Sequence, residues 1–233
     1  MTHAFPEEIV FAVEALRRGE VVAYPTETFY GLGVNALDEL ALARLRLLKG
    51  RGADKAISIL VSDASMLERV CAEIPPLARK LIAKHWPGAL TLVLPARSDL
   101  PQPLVQDGCV AVRISSHPTA QALVTAFGAP VTTTSANLAG QPPASTPEMV
   151  EEAFEGRCRV IHAGATPGGA ASTIVRIRDG NLEVLRRGAI DPHADDADSP
   201  RPREPTRPRD PSGPREPAGR REPPGRREPP DDQ

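Results

Sequence analysis

An apolar run, Val21-Val22-Ala23-Tyr24, is cut off by Pro25 and followed at once by Thr26-Glu27-Thr28-Phe29-Tyr30-Gly31-Leu32-Gly33. Proline has no N–H to donate, so the run cannot continue as an interior strand. Whatever sheet forms must end here, at a segment dense in hydrogen-bonding side chains. Its glycines let the backbone bend sharply or come close to a ligand. Two readings are open: an ordinary strand-to-loop turn, or one wall of a binding site.

How much chain surrounds this segment depends on the C-terminus. The 233 residues could form one large domain or two small ones. From residue 191 onward, however, the sequence is nearly all Pro, Arg, Glu, Asp, Gly and Ala. It ends in the direct repeat Gly219-Arg220-Arg221-Glu222-Pro223-Pro224, then Gly225-Arg226-Arg227-Glu228-Pro229-Pro230. Such a stretch has almost nothing to bury against the entropy of ordering. The expectation is one domain, residues 1–190, and a disordered Pro/Arg/Glu-rich tail, residues 191–233.

The tail carries 9 Arg against 11 Asp and Glu, which leaves 19 basic and 19 acidic residues in the domain. A neutral domain argues against a broadly basic nucleic-acid surface, though not against a local basic cleft. The mixed-sign tail is a solvated extension, not a polybasic anchor. Cys71, Cys109 and Cys158 are scattered and odd in number, unlike a disulfide framework or zinc site, so a reducing compartment is expected. His3, His85, His117, His162 and His193 show no metal-ligand spacing. With no leader pattern and no apolar run of membrane length, the expectation is a cytoplasmic protein with no membrane partner.

The periodicity predicts a helix opened by Pro6-Glu7-Glu8, with Ile9, Val10, Val13 and Leu16 on its apolar face and Gly19 as its stop. Residues 20–24 read as the first strand. Asp38 caps a helix through Leu48 that aims its C-terminus at Lys49-Gly50-Arg51-Gly52-Ala53-Asp54-Lys55. Further strands are expected over residues 57–61, 90–94, 109–114 and 131–134. Asp63, Pro75-Pro76, Pro118 and Thr146-Pro147 open helices. Short strands over 159–162, 173–177 and 182–186 finish the domain, the last two joined at Asp179-Gly180. Several strands follow one another without a helix. That pattern predicts an α/β fold with a twisted mixed sheet, parallel and antiparallel, and flanking helices. Neither G-x-G-x-x-G nor G-x-x-x-x-G-K-[ST] is present, so any nucleotide is held without the two commonest phosphate loops.

Lys49, Arg51 and Lys55 place three cations in a Gly-bearing loop after a helix. They could clamp a polyphosphate, or simply favour the negative end of the helix dipole. Arg113 sits in the apolar strand Val110-Ala111-Val112-Arg113-Ile114, so it must meet a structural carboxylate or face an anion-binding cleft. Ser135-Ala136-Asn137, after Thr132-Thr133-Thr134, ends a strand in hydroxyls and an amide. These suit a phosphate, ribose or amino-acid head group, or an Asx or Ser/Thr turn. Ser172 follows a flexible Gly168-Gly169-Ala170-Ala171 run, and Arg186 or Arg187 precedes Gly188. No nucleophile elbow is present, and His117 before Pro118 reads as a neighbour of a helix cap, not a base. Glu27 is polar enough for catalysis, with nothing in the sequence to make it a base. What remains, cations, hydroxyls and amides, suits stabilising charge in a phosphoryl transfer better than hydrolysis by a triad.

Taken in order, the segments from Pro25 to Gly33, Lys49-Gly50-Arg51, Val110 to Ile114 with His117-Pro118, Ser135-Ala136-Asn137, Ser172-Thr173-Ile174-Val175 and Leu185-Arg186-Arg187-Gly188-Ala189-Ile190 resemble the YrdC/Sua5 family of threonylcarbamoyl-AMP synthases. The resemblance covers nearly the whole domain. It implies a concave, positively charged cavity and a reaction of L-threonine, bicarbonate or CO2, and ATP. The products are threonylcarbamoyl-AMP, for the t6A37 modification of tRNAs reading ANN codons, and pyrophosphate. Carried over position by position, Thr28, Arg113, Thr133 and Ser172 would contact L-threonine. Lys49, Arg51, Lys55, Ser135, Asn137 and Arg186 would contact ATP, with Lys49 and Arg51 the catalytic pair. Mg2+ would come with the ATP, since no acidic cluster marks a protein ligand set. The product would pass to a tRNA threonylcarbamoyl transferase complex. Gly52 stands where the family usually has Pro, Ala56-Ile57 where it has Pro-Leu, and Ser115 where Pro follows the strand.

Two rivals remain. The same domain occurs within carbamoyl-adenylate-forming hydrogenase-maturation enzymes, but their acylphosphatase and zinc-finger segments have no counterpart in these residues. The other rival is a non-catalytic module binding tRNA or double-stranded RNA in a basic cavity. The neutral domain and the lack of interleaved aromatics weigh against it.

Overall fold

The computed structural model describes residues 5–50, 56–178 and 180–194. In chain order the elements are α1 (Glu7–Arg17), β1 (Val22–Tyr24), β2 (Gly31–Gly33), α2 (Glu39–Lys49), β3 (Ile59–Leu60), α3 (Ala64–Glu68), α4 (Pro76–His85) and β4 (Leu90–Pro95). There follow β5 (Val105–Gln106), β6 (Cys109–Arg113), α5 (Pro118–Phe127), β7 (Val131–Thr132), β8 (Thr134–Ser135), α6 (Pro147–Phe154), β9 (Arg159–Val160), β10 (Thr173–Arg178) and β11 (Asn181–Arg186). The expected α/β fold is present, with its mixed strands distributed over two sheets. One runs β8-β2-β1-β9, and the other runs β11-β10-β4-β6-β3-β7 with β5 beside β6. The parallel pairs are β1 with β9, β4 with β10 and β3 with β6; the remaining pairs are antiparallel.

The helix starts follow their caps. The Asp38 carboxylate accepts from the Leu40 and Ala41 N–H groups, Asp63 from Met66, and Thr146 from Met149. His117 is itself the cap of α5 through its ring nitrogen, not a neighbour of one. On α2 the buried face is Ala41, Leu42, Leu45 and Lys49, while Leu40 and Leu47 point to solvent. Helical spacing therefore carries Lys49 inward, one heptad after Leu42.

Two sequence expectations are corrected. Gly31-Leu32-Gly33, read as the end of a strand-to-loop turn or of a site wall, is itself a strand: Tyr24 pairs with Gly31 and Val22 with Gly33 across β1 and β2. The glycines are needed for packing. A Cβ on Gly33 would lie 2.6 Å from Val131 Cγ1 and 2.7 Å from Tyr24 Cε1. The single strand expected over 131–134 is instead two. β7 pairs with β3 in the larger sheet and β8 with β2 in the smaller, and the chain changes sheets at Thr133. Thr133 bridges the step by donating its N–H to the Ser58 carbonyl at 2.7 Å.

One contiguous core joins Leu16, Tyr24, Tyr30, Leu42, Ile59, Leu92, Val112, Leu123 and Phe154. The expected domain end near residue 190 lies where Ala189 N–H still donates to Ala171 O. The tail beyond Ala194 lies outside the described residues. Among the described residues no helix is long and apolar enough to cross a membrane.

Candidate active site

Three groups of polar side chains lie where β1, β6 and β8 end and β10 begins. The first is the loop after Pro25. The Thr26 hydroxyl donates to Phe29 O at 2.7 Å and accepts from Thr28 N–H at 3.2 Å. Its one proton being spent, the 3.1 Å contact between the Thr26 and Thr28 hydroxyls must be donated by Thr28. Thr28 Oγ1 thus keeps its lone pairs for a donor such as an amine.

Next to this loop, Arg113 at the end of β6 carries its guanidinium into the interior. Of the two sequence alternatives for it, the carboxylate is the one observed. Arg113 Nη1 donates to Glu27 Oε1, and Nη2 reaches Thr133 Oγ1 at 3.4 Å. The pair is deeply set, with side-chain exposures of 6% for Arg113 and 14% for Glu27. Ser115 Oγ donates to the other oxygen, Glu27 Oε2, and accepts the His117 N–H at 3.2 Å. Burial holds the His117 imidazole below the usual histidine range, partly offset by the Glu27 charge. In this neutral form its Nδ1 accepts from Thr119 N–H at 3.2 Å, capping α5.

The second group is Lys49, Ser135 and Asn137. Lys49 Nζ donates to the Ser135 carbonyl and lies 3.4 Å from Asn137 Oδ1. Ser135 Oγ donates to that same Oδ1, while Asn137 Nδ2 is tied to Leu138 O and Gln141 O at 3.1 and 2.6 Å. Lys49 is buried at 5% exposure although it ends a helix. Arg51 and Lys55, its expected companions in the cationic loop, lie outside the described residues.

The third group joins two segments that the sequence kept apart. Ser172 Oγ is 3.0 Å from Thr91 Oγ1. Arg186 Nε and Nη2 donate to Ser172 O at 3.1 and 2.8 Å, and Nη2 also to Ser172 Oγ at 3.0 Å. Burial, and then the charge of Arg113, lower the pKa of Arg186.

The chain between Thr133 and Ser135 links the first two groups. The Thr133 hydroxyl meets Arg113 and the Ser135 main-chain carbonyl meets Lys49, so a guanidinium and an ammonium address positions two residues apart along one segment. Two grooves of about 380 and 660 Å³ lie elsewhere, along β9. They share Glu20, Gly156, Cys158 and Arg159 and contain none of these residues. Burial raises the Cys158 thiol to about 11, so it is no nucleophile. Among the described residues no cluster of three or more His, Cys, Asp or Glu could hold a metal ion.

Sequence reasoning missed Glu27 as the partner of Arg113, Ser115 as the partner of Glu27, and Thr91 as the partner of Ser172. The first had a signal, because an arginine in an apolar strand requires a buried acceptor. Thr91, inside Leu90–Pro95, had none.

The fold and these side chains define a mixed α/β protein that sets a buried arginine and a buried lysine against positions two residues apart along one segment. The Sua5/YciO/YrdC family model, described as telomere recombination, matches residues 14–188. The chain is 39% identical over 186 residues to the Threonylcarbamoyl-AMP synthase of Bacillus subtilis, covering 78% of this chain and 54% of that protein. It is also 39% identical to the Threonylcarbamoyl-AMP synthase of Vibrio cholerae El Tor, over 79% of this chain and 100% of that protein. It thus spans about half the length of the B. subtilis relative and all of the V. cholerae one. The crystal structure of Pyrococcus abyssi Sua5 complexed with L-threonine superposes with a TM-score of 0.75 at 38% identity, over 79% of this chain and 56% of that one. The chain belongs to the Sua5/YciO/YrdC family.

Proposed function

We propose that this protein is an L-threonylcarbamoyladenylate synthase, a nucleotidyltransferase that makes threonylcarbamoyl-AMP and pyrophosphate from L-threonine, bicarbonate or CO2, and ATP. The observation that carries this reading is that Arg113, at the Thr133 hydroxyl, and Lys49, at the Ser135 carbonyl, address positions two residues apart, one suited to an amino-acid carboxylate and the other to a phosphate. The names of the relatives and the L-threonine in P. abyssi Sua5 support it.

In this reading the threonine carboxylate is bound by Arg113 and Thr133, and its amine is oriented by the Thr28 lone pairs. The amine, once deprotonated, forms an N–C bond to CO2 and loses a second proton. The resulting carbamate oxygen attacks the α-phosphorus, and the bond to the bridging oxygen breaks, releasing pyrophosphate. Nucleophile and electrophile are both anions, so the chain's task is to hold them together and spread the developing charge. Lys49 and Arg186 do so among the described residues, and Arg51 and Lys55 are proposed to join them. Mg2+ is proposed to arrive on the triphosphate, because the described residues offer no ligand cluster for it. The product is proposed to serve t6A37 formation on tRNA through a threonylcarbamoyl transferase complex, which places the protein in the cytoplasm.

The test is pyrophosphate release from ATP with threonine or bicarbonate omitted in turn. Release requiring both is expected. Release indifferent to threonine overturns the assignment.

A further inference from the structure

We propose that Glu27 is a positioning residue. Through Arg113 it fixes the direction of the carboxylate-binding guanidinium, and Ser115 in turn fixes Glu27. The inference rests on the amino-acid reading of the site and adds to it the group that sets its geometry.

The connections form one chain of hydrogen bonds. His117 N–H donates to Ser115 Oγ, Ser115 Oγ to Glu27 Oε2, Arg113 Nη1 to Glu27 Oε1, and Arg113 Nη2 to Thr133 Oγ1. It begins at the cap of α5, crosses the loop between β1 and β2, and ends where the chain changes sheets. A long arginine side chain has four rotatable bonds, and only bonds at both ends of its fork choose one orientation. Glu27 takes one nitrogen and Thr133 the other, leaving guanidinium protons for a ligand. Glu27 cannot swing out to release Arg113 without also leaving Ser115, and its side chain is only 14% exposed. The carboxylate is therefore a fixed part of the wall, not a stand-in that an incoming carboxylate displaces. Ser115 is exposed to 1%, so a buried hydroxyl supplies the second anchor.

The experiment compares wild type, Glu27→Gln and Ser115→Ala. Steady-state kinetics with each substrate varied is expected to raise the threonine KM at least tenfold in Glu27→Gln, about 1.4 kcal/mol. A rise of about threefold is expected in Ser115→Ala, with the ATP KM within twofold of wild type in both. The second readout needs no turnover: NMR of the Arg113 guanidinium protons, assigned with Arg113→Lys. Their protection from solvent exchange is expected to fall at least tenfold in Glu27→Gln and by a smaller factor in Ser115→Ala. An unchanged threonine KM, an equal rise in both KM values, or unchanged protection overturns the proposal. If Glu27→Gln does not fold, Ser115→Ala decides alone. If wild type shows no threonine-dependent turnover, the functional reading fails while guanidinium protection still judges Glu27.

Discussion

Replacing Gly33 by alanine puts a methyl group into space already filled. Its Cβ would stand 2.6 Å from Val131 Cγ1 and 2.7 Å from Tyr24 Cε1, against an ordinary carbon contact of about 3.5–4.0 Å. Neither neighbour can yield cheaply. Val131 and Tyr24 are both fully buried, and the Tyr24 hydroxyl is tied to Thr132 O at 2.7 Å. The Gly33 backbone is not in the left-handed region, so alanine carries no conformational penalty there. Overpacking costs roughly 1–3 kcal/mol, and the loss of glycine's freedom in the unfolded chain returns about 0.4–1 kcal/mol. With two contacts below 3 Å the net loss falls in the upper part of that range, about 2 kcal/mol, which lowers the Tm by roughly 4–8 °C for a domain of this size. Gly31 is the control. Its nearest contacts are 3.4 Å to Thr133 Oγ1 and 3.5 Å to Tyr24 Cζ, so Gly31→Ala is expected to melt within about 3 °C of wild type. It instead crowds the Thr133 hydroxyl and raises the threonine KM. Thermal melts of both variants followed by circular dichroism make the comparison. The packing explanation would be refuted if Gly33→Ala melted with wild type or if Gly31→Ala proved the less stable of the two.

Tyr24→Phe removes a buried hydroxyl and leaves Thr132 O without that donor, at a cost of about 1–3 kcal/mol in urea unfolding. Lys49→Met is expected to cut turnover at least 100-fold, in line with the loss of one preorganised charge donor, and to abolish the rise in Tm on adding ATP. Turnover within tenfold of wild type would make Lys49 only the strut between α2 and β8. His117 sets a pH dependence: its pKa is lowered on folding, so its contribution to stability is present above the unfolded value near 6.5 and is lost as pH falls through the folded value. Between pH 7.5 and 5, wild type is expected to lose more stability than His117→Asn, which keeps a capping acceptor that does not titrate.

The sequence announced its helices because their signals are local. Asp38, Asp63, Thr146-Pro147 and Pro118 each act within one turn, and each opens a helix in the structure. Gly31-Leu32-Gly33 reads as the end of a turn or of a site wall because its reason for being glycine lies in Tyr24 and in Val131, about a hundred residues further along the chain. The break at Thr133 was hidden for a related reason, since hydroxyl-rich β-branched residues suit either sheet and only their partners divide them. In the site, Arg113 announced that it needed a partner, but Glu27 was one of many carboxylates until the fold chose it. Lys49, Ser135 and Asn137 do converge as the motif order implied, although Lys49 lies deeper than a cation at a helix end suggests.

The change of sheet at Thr133 also limits how this segment can evolve. β7 and β8 are each two residues long with a single residue between them, so there is no slack to absorb an extra or missing position. Inserting one residue would displace the Ser135 carbonyl that anchors Lys49 from the Thr133 hydroxyl that meets Arg113. The stretch works as a ruler graduated in residues: relatives can exchange side chains along it, but every functional copy is expected to keep its length.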